Sequence, residues 1–285
     1  MCRLFALHAG ANDVAVDFWL LEAPDSLAKQ SEINADGFGL ASLTTDHELM
    51  LIKKPVEAGT DTSFQNTARH LEAAEIVVHL RFASTGGKTI ANTHPFIQDG
   101  RLFAHNGIMG DTDRIEAELG EDRAMITGDS DSERLFAVIT MAIRQQGGDV
   151  RAGIREAVNR LADEYELYAL NFVIAEHGQI WAFRYPDKND LFILERKAGG
   201  TGGSDALDAH SRDGNLHVRS GEAAEVPIVV VASEKISDEA GWEEIRSGEL
   251  VHIDSDLKVD RELIIDHPPR HQMVLKGHEE KTQSL

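Results

Sequence analysis

Apolar and polar residues alternate with a period of two along most of the first hundred positions, the spacing of strands with one buried face. Cys2 to His8 predicts a strand, and Phe38–Leu43 with Leu49–Lys54 predicts a hairpin around the polar turn TTDHE. EIVVHLRFA (Glu75–Ala83) predicts a buried strand, with β-branched Ile76, Val77 and Val78 in succession, and RLFAHNG (Arg101–Gly107) predicts another. The period then changes. In SDSERLFAVITMAIRQQGG, Leu135, Ile139, Ala142 and Ile143 share one helical face, Ser130 and Glu133 have the spacing of a capping box, and Gly147–Gly148 supplies a stop. In DVRAGIREAVNRLADE, Ile154, Ala157, Val158 and Leu161 share a face behind an Asp149 cap. An earlier helix is expected from Thr62 to Ala74. Strands resume with YALNFVIAE, a turn at His177–Gly178, QIWAFRYP and LFILERK. VPIVVVASEK follows a polar, glycine-rich stretch (Ala198–Asn215), and GELVHID reads as a closing strand.

Strands, then helices, then strands again predict an α+β fold with helices covering antiparallel sheet. No repeat or dividing linker is visible, so one domain is expected over residues 2–265, with a flexible tail over 266–285. Composition changes this picture little: 42% hydrophobic and 27% charged residues are ordinary for a globular chain. There is no apolar run of about eighteen residues, hence no expected membrane span. The N-terminus lacks the pattern of a secretory signal, and a single cysteine suits a reducing compartment, so a cytoplasmic location is expected. One cysteine also removes multi-cysteine zinc sites and iron–sulfur clusters. A formal net charge of −21 repels nucleic acid and anionic membranes.

Four segments carry residue types poorly suited to packing alone: NADGFG (Asn34–Gly39), HLRFAST (His79–Thr85), NTHPF with AHNG (Asn92–Phe96, Ala104–Gly107), and GDSDSE (Gly128–Glu133). Asn106–Gly107 reads either as a turn or as an oxyanion hole made from a carboxamide N–H and a backbone N–H. Arg81 is either a surface residue on an edge strand or, if both faces are covered, a planar donor suited to a carboxylate. GDSDSE lacks the glycine and the distant glutamate of a calcium loop. The helix cap accounts for its Ser130 and Glu133; Asp131 suits the helix dipole and also a ligand ammonium group. NADGFG has neither dinucleotide nor phosphate-loop spacing. His94 and His105 have no fixed-spacing partners and read as satisfied structural histidines rather than metal ligands. Cys2 has two readings: a small apolar residue opening a strand, or, after removal of Met1, a thiol and a free α-amino group on one residue.

In this order, MC, DGFG, RFAST after an apolar strand, THPF, HNG and SDSE opening a helix resemble the class II glutamine amidotransferases, which are N-terminal-nucleophile hydrolases. The likeness covers residues 2 to about 135, and VVVASE with GWEEIRSGELVHI extends it to about 253. It is strongest to small stand-alone members similar to the γ-glutamyl amidohydrolase of ergothioneine biosynthesis. The resemblance implies a four-layer αββα sandwich and an enzyme needing no metal or organic cofactor. It implies that Cys2 is the nucleophile with its own α-amino group as base, and that Asn106 and Gly107 form the oxyanion hole. Arg81 would bind the α-carboxylate of a γ-glutamyl group and Asp131 its α-ammonium, with the DGFG turn, including Gly39, beside the site. Ser84 and Thr85 stand where better-known members carry Thr-His; their hydroxyls remain able to bond a carboxylate. The implied substrate is glutamine or a γ-glutamyl conjugate, cleaved through a Cys2 thioester. Alternatives are a glutaminase subunit feeding a separate synthase, and a non-catalytic γ-glutamyl-binding regulator. Specificity for the leaving amine is expected in the loops Leu21–Asn34 and Ala198–Asn215.

Overall fold

The alternating stretches pair into two large antiparallel sheets. In the computed structural model, residues 2–46, 48–83, 86–198, 207–210, 217–220, 226–277, 280 and 283 are described. The first sheet runs in the order Trp242–Glu244, Phe192–Arg196, Ile228–Ala232, Arg3–His8, Glu75–Arg81, Gly37–Leu43, Leu49–Lys54. The second runs Val259–Leu263, Glu249–Ile253, Gln179–Arg184, Glu166–Glu176, Arg101–Met109, Phe96–Gln98.

Side-chain size decides how the sheets stack. The layer between them is built from small and β-branched residues such as Ala6, Ala41, Val77, Ala104, Val173 and Ala182. Facing pleats lined by alanine and valine lie close together without voids. The outer faces carry the large side chains. Phe103 stacks on Phe136 of the helix Asp131–Gln145 with centroids 4.6 Å apart, and that helix packs with Val150–Glu164 over the second sheet. Phe18, Trp19 and Phe64 cover the first sheet, carried by the helical turn Phe18–Glu22 and the helix Thr62–His70. The result is the expected α+β, four-layer αββα order.

Most expected elements appear within a residue or two of their boundaries. Three differ for local reasons. The helix from Thr62 ends at His70 rather than Ala74, because Glu72–Ala73 pairs instead with Val14–Ala15. The strand at Glu249–Ile253 is not the closing one, since Val259–Leu263 pairs along its free edge. Ser130 caps its helix by accepting from Ser132 N, but Glu133 does not complete a capping box. Its carboxylate reaches further back, to the amides of Thr127 and Gly128. Beyond residue 266, His271–Gln272 pairs with the start of the strand Glu166–Glu176, and Gln283 is buried.

Two adjacent strands bring the first chemistry together. Arg3 pairs with Leu80, so the next step along the same register sets Cys2 opposite Arg81. Alternation places Cys2 on the inter-sheet face with Leu4 and Ala6, and Asn106 on the facing sheet with Leu102 and Ala104.

Candidate active site

Cys2 sits half-buried where its strand begins, and the backbone of Phe82 holds its sulfur. The Phe82 amide donates to Sγ at 3.3 Å and the thiol lies 3.4 Å from the Phe82 carbonyl. Burial pushes the thiol pKa up, while the Phe82 amide and the positive charges of Arg81 and Arg3 pull against that rise. Burial thus holds the thiol in its protonated form.

Arg81 is 3% exposed, so the edge-strand reading is excluded. Its guanidinium donates to the carbonyls of Gly87 (2.8 Å) and Gly86 (3.3 Å), and burial lowers its pKa against the pull of Cys2, Asp36 and Asp131. The DGFG turn belongs to the same assembly. Asp36 accepts from Ala83 N at 2.9 Å and pairs with Lys88. Across the pocket, Asp131 opens the helix Asp131–Gln145, and its Oδ2 accepts from Met109 N at 2.9 Å. Cys2, Arg81, Asp131 and Gly107 line one pocket, together with His94, His105 and Ser132.

Asn106 lies within the strand Arg101–Met109 rather than in a tight turn, so the turn reading is excluded. Its side chain is 1% exposed, yet neither Oδ1 nor Nδ2 has a partner among the described residues. A buried carboxamide without partners is uncommon. Gly107 admits no side chain: a Cβ there would lie 1.9 Å from the Ala169 carbonyl oxygen and 2.6 Å from His105 Nε2. His105 is satisfied, as expected. Its Nε2 donates to Ala169 O (3.1 Å), leaving Nδ1 to accept from the Ser132 hydroxyl (2.9 Å). Burial lowers its pKa and keeps this neutral form, in which one imidazole ties two strands to a helix N-terminus.

His94 departs from expectation. It is buried against His79, ring centroids 4.1 Å apart, and neither ring nitrogen has a partner among the described residues. Burial and the neighbouring His79 and His105 hold its pKa well below the ordinary value, and burial pushes His79 down to about 3. Gly39 makes this packing possible, since a Cβ at Gly39 would lie 1.7 Å from the His94 carbonyl oxygen. Gly39 thus supports the wall of the pocket and does not line it. The THPF motif carries His94, but nothing in the motif says which strand it faces. Ser84, Thr85 and most of the Ala198–Asn215 loop lie outside the described residues. Among the described residues no group of three His, Cys, Asp or Glu side chains is placed to hold a metal ion.

The glutamine amidotransferases class-II model matches residues 1–270. An uncharacterized protein of Methanocaldococcus jannaschii is 26% identical over 181 residues, 61% of this chain and 49% of that protein. The probable glutamine amidotransferase DUG3 of Saccharomyces cerevisiae is 25% identical over 228 residues, 65% of this chain and 64% of that one. The chain thus spans less than two thirds of each of these relatives. A solved glutamine aminotransferase class-II domain protein from Silicibacter pomeroyi superposes with a TM-score of 0.58 at 17% identity, covering 93% of this chain and all of that one. The chain belongs to the class-II glutamine amidotransferases, a family of enzymes, and has their sandwich of two sheets between helical layers.

Proposed function

We propose that this chain is an amidohydrolase that cleaves the amide bond of glutamine or a γ-glutamyl conjugate through a Cys2 thioester. The observation that carries the reading is the orphan Asn106 carboxamide, next along its strand to side-chain-free Gly107, which lines one pocket with Cys2 and Arg81. In this reading Met1 is removed, so that the α-amino group of Cys2 takes the thiol proton. Its pKa and that of a thiol both lie within reach of neutral pH. Sγ attacks the γ-carbonyl carbon, and the oxyanion accepts from Asn106 Nδ2 and Gly107 N. The α-carboxylate lies on Arg81 and the α-ammonium on Asp131. Collapse breaks the C–N bond, the amine leaves with the proton from the α-ammonium of Cys2, and water hydrolyses the thioester to glutamate.

The test is intact mass before and after diazo-oxo-norleucine, a glutamine-mimicking electrophile, with hydrolysis of γ-glutamyl amides assayed on the purified chain alone. Expected are loss of Met1, a single adduct mapped to Cys2, and no turnover in Cys2→Ala. A protein lacking Met1 that neither takes the adduct nor hydrolyses these amides would overturn the reading. Turnover seen only after adding a synthase would favour a glutaminase subunit instead.

A further inference from the structure

We propose that the strand Leu49–Lys54 is a homodimer interface, on which a second copy of this chain pairs antiparallel across a two-fold axis through Leu51. The strand ends the first sheet: it pairs with Gly37–Leu43 on one side and with no further strand among the described residues on the other. The hairpin decides which backbone groups face the open side. The Thr44 amide donates to the Glu48 carbonyl, so Glu48 and every second residue after it bond inwards. Leu49, Leu51 and Lys53 therefore turn their N–H and C=O groups outwards. Natural sheet edges are blunted by charge or by shortness. The other edges of the two large sheets obey this. Trp242–Glu244 and Phe96–Gln98 have three residues each, and Val259–Leu263 carries Asp260, Arg261 and Glu262. Here Leu49, Met50, Leu51 and Ile52 follow one another without a charge, in a chain of net charge −21. Leu49 is 49% exposed and Leu51 38%.

Register favours a second copy of this chain as the occupant. With Leu51 opposite the partner's Leu51, Leu49 stands opposite the partner's Lys53. These are the residues with open backbone groups, so two-fold pairing closes the free ladder. The pairs between them also match. Met50 stands opposite the partner's Ile52, and both positions lie on the outer face, against the core that holds Phe18 and Trp19. Glu48 stands opposite the partner's Lys54 on that same face, an opposite-charge pair that the two-fold repeats. Lys54 meets Asp61 at 2.8 Å and keeps 39% side-chain exposure, so Glu48 joins an existing ion pair. Sliding by two residues one way sets Glu48 opposite Ile52. Sliding the other way sets Leu49 opposite Pro55, which has no N–H to give. On the inter-sheet face, Leu49 and Leu51 pair with Leu43 and Ala41 of the central layer, and the short edge strand Phe96–Gln98 leaves them exposed. Lys53 reaches over the Phe96 ring, so the two edges share one side of the sandwich, where Ile97 is exposed as well.

The test measures the mass of the full chain by sedimentation velocity and light scattering across the micromolar range. Wild type should be a dimer. Leu51→Lys sets two like charges face to face on the two-fold axis and should raise the dimer Kd about a hundred-fold or more, with the melting temperature showing that it folds. Cross-linking reads the register without depending on that variant. In a Cys2→Ala background, Leu51→Cys should give a disulfide-linked dimer under mild oxidation, because its Cα lies about 5.5 Å from its counterpart. Leu49→Cys lies about 14 Å from its counterpart and should not. A wild type that is monomeric throughout would overturn the proposal and leave this edge to a different chain. A folded Leu51→Lys that remains dimeric, or cross-linking at Leu49 in preference to Leu51, would overturn it by placing the contact or the register elsewhere. None of these outcomes depends on the role of Cys2.

Discussion

Asn106 and Gly107 stand side by side in one strand and make opposite demands on the fold. The Asn106 carboxamide has no partner among the described residues, so deleting it breaks no hydrogen bond. Asn106→Ala should therefore leave the melting temperature unchanged while lowering kcat about 10²–10³-fold. A parallel loss of stability would show that the side chain is structural. Gly107→Ala places a Cβ 1.9 Å from the Ala169 oxygen, and both stability and activity should fall, the former by several kcal/mol (about 2–4) as measured by urea denaturation. Arg81 presents a planar fork, with donors spread between the Gly86 and Gly87 carbonyls. Arg81→Lys substitutes a point charge, so KM should rise about ten-fold or more, and an unchanged KM would refute the carboxylate assignment. Arg81 stood out in the sequence as a charge inside an apolar strand, and Asn106–Gly107 as a polar residue and a glycine at the end of another. His94 was not read as part of the pocket, because a His–Pro pair carries no information about which sheet it faces.

The helix Asp131–Gln145 shows how an element carries a site. Its N-terminus is tied by Ser130 to Ser132 N at 3.2 Å, and by Glu133 to Thr127 N and Oγ1, both at 2.9 Å, and to Gly128 N at 2.7 Å. These bonds hold Asp131 beside Met109 and Ser132 against His105. Glu133→Ala strands three donors at once. It should cost about 2–3 kcal/mol in urea denaturation and also raise KM through Asp131, whereas Glu133→Gln should recover part of both. A stability loss with KM unchanged would separate the cap from the site. The spacing of Ser130 and Glu133 announced a helix start, but the longer reach of Glu133 depends on how the preceding loop folds back. The strand Val259–Leu263 was missed for a related reason: its half-exposed, charge-rich sequence has no clear alternation, and only pairing with Glu249–Ile253 makes it a strand.

At the scale of the whole molecule, the two ends of the sandwich differ. One holds Cys2 and Arg81; the other buries Glu75 against the Gly178 amide, with His8 bonded to the Gly178 carbonyl at 3.1 Å. Burial, with repulsion from Glu176, raises the Glu75 pKa from its ordinary range to about 7 despite the Gly178 bond. The folded state then holds this proton between about pH 4.5 and 7 when the unfolded chain has released it. Stability from Glu75 is complete below that window and is lost as pH rises through 7, by at most about 3 kcal/mol. Glu75→Gln should flatten this part of the dependence, raising the melting temperature relative to wild type at pH 8 but not at pH 4. An equal shift at both pH values would refute the assignment.

The chain's own order of residues determined the strands with strict alternation, the two long amphipathic helices and the αββα class through its motifs, and it brought forward Cys2, Arg81, Asn106, Gly107 and Asp131 as candidates. Those features are local, since alternation, caps and short motifs are written within ten or so neighbouring positions. Only the tertiary structure decided that Asn106 is an unpartnered buried carboxamide and not a turn, that Gly39 makes room for the backbone of His94, and that Gln283 meets Asn189 across 94 positions. Such contacts arise from register and from the stacking of two sheets. Side-chain size between the sheets sets how closely they pack, and no single segment encodes that distance.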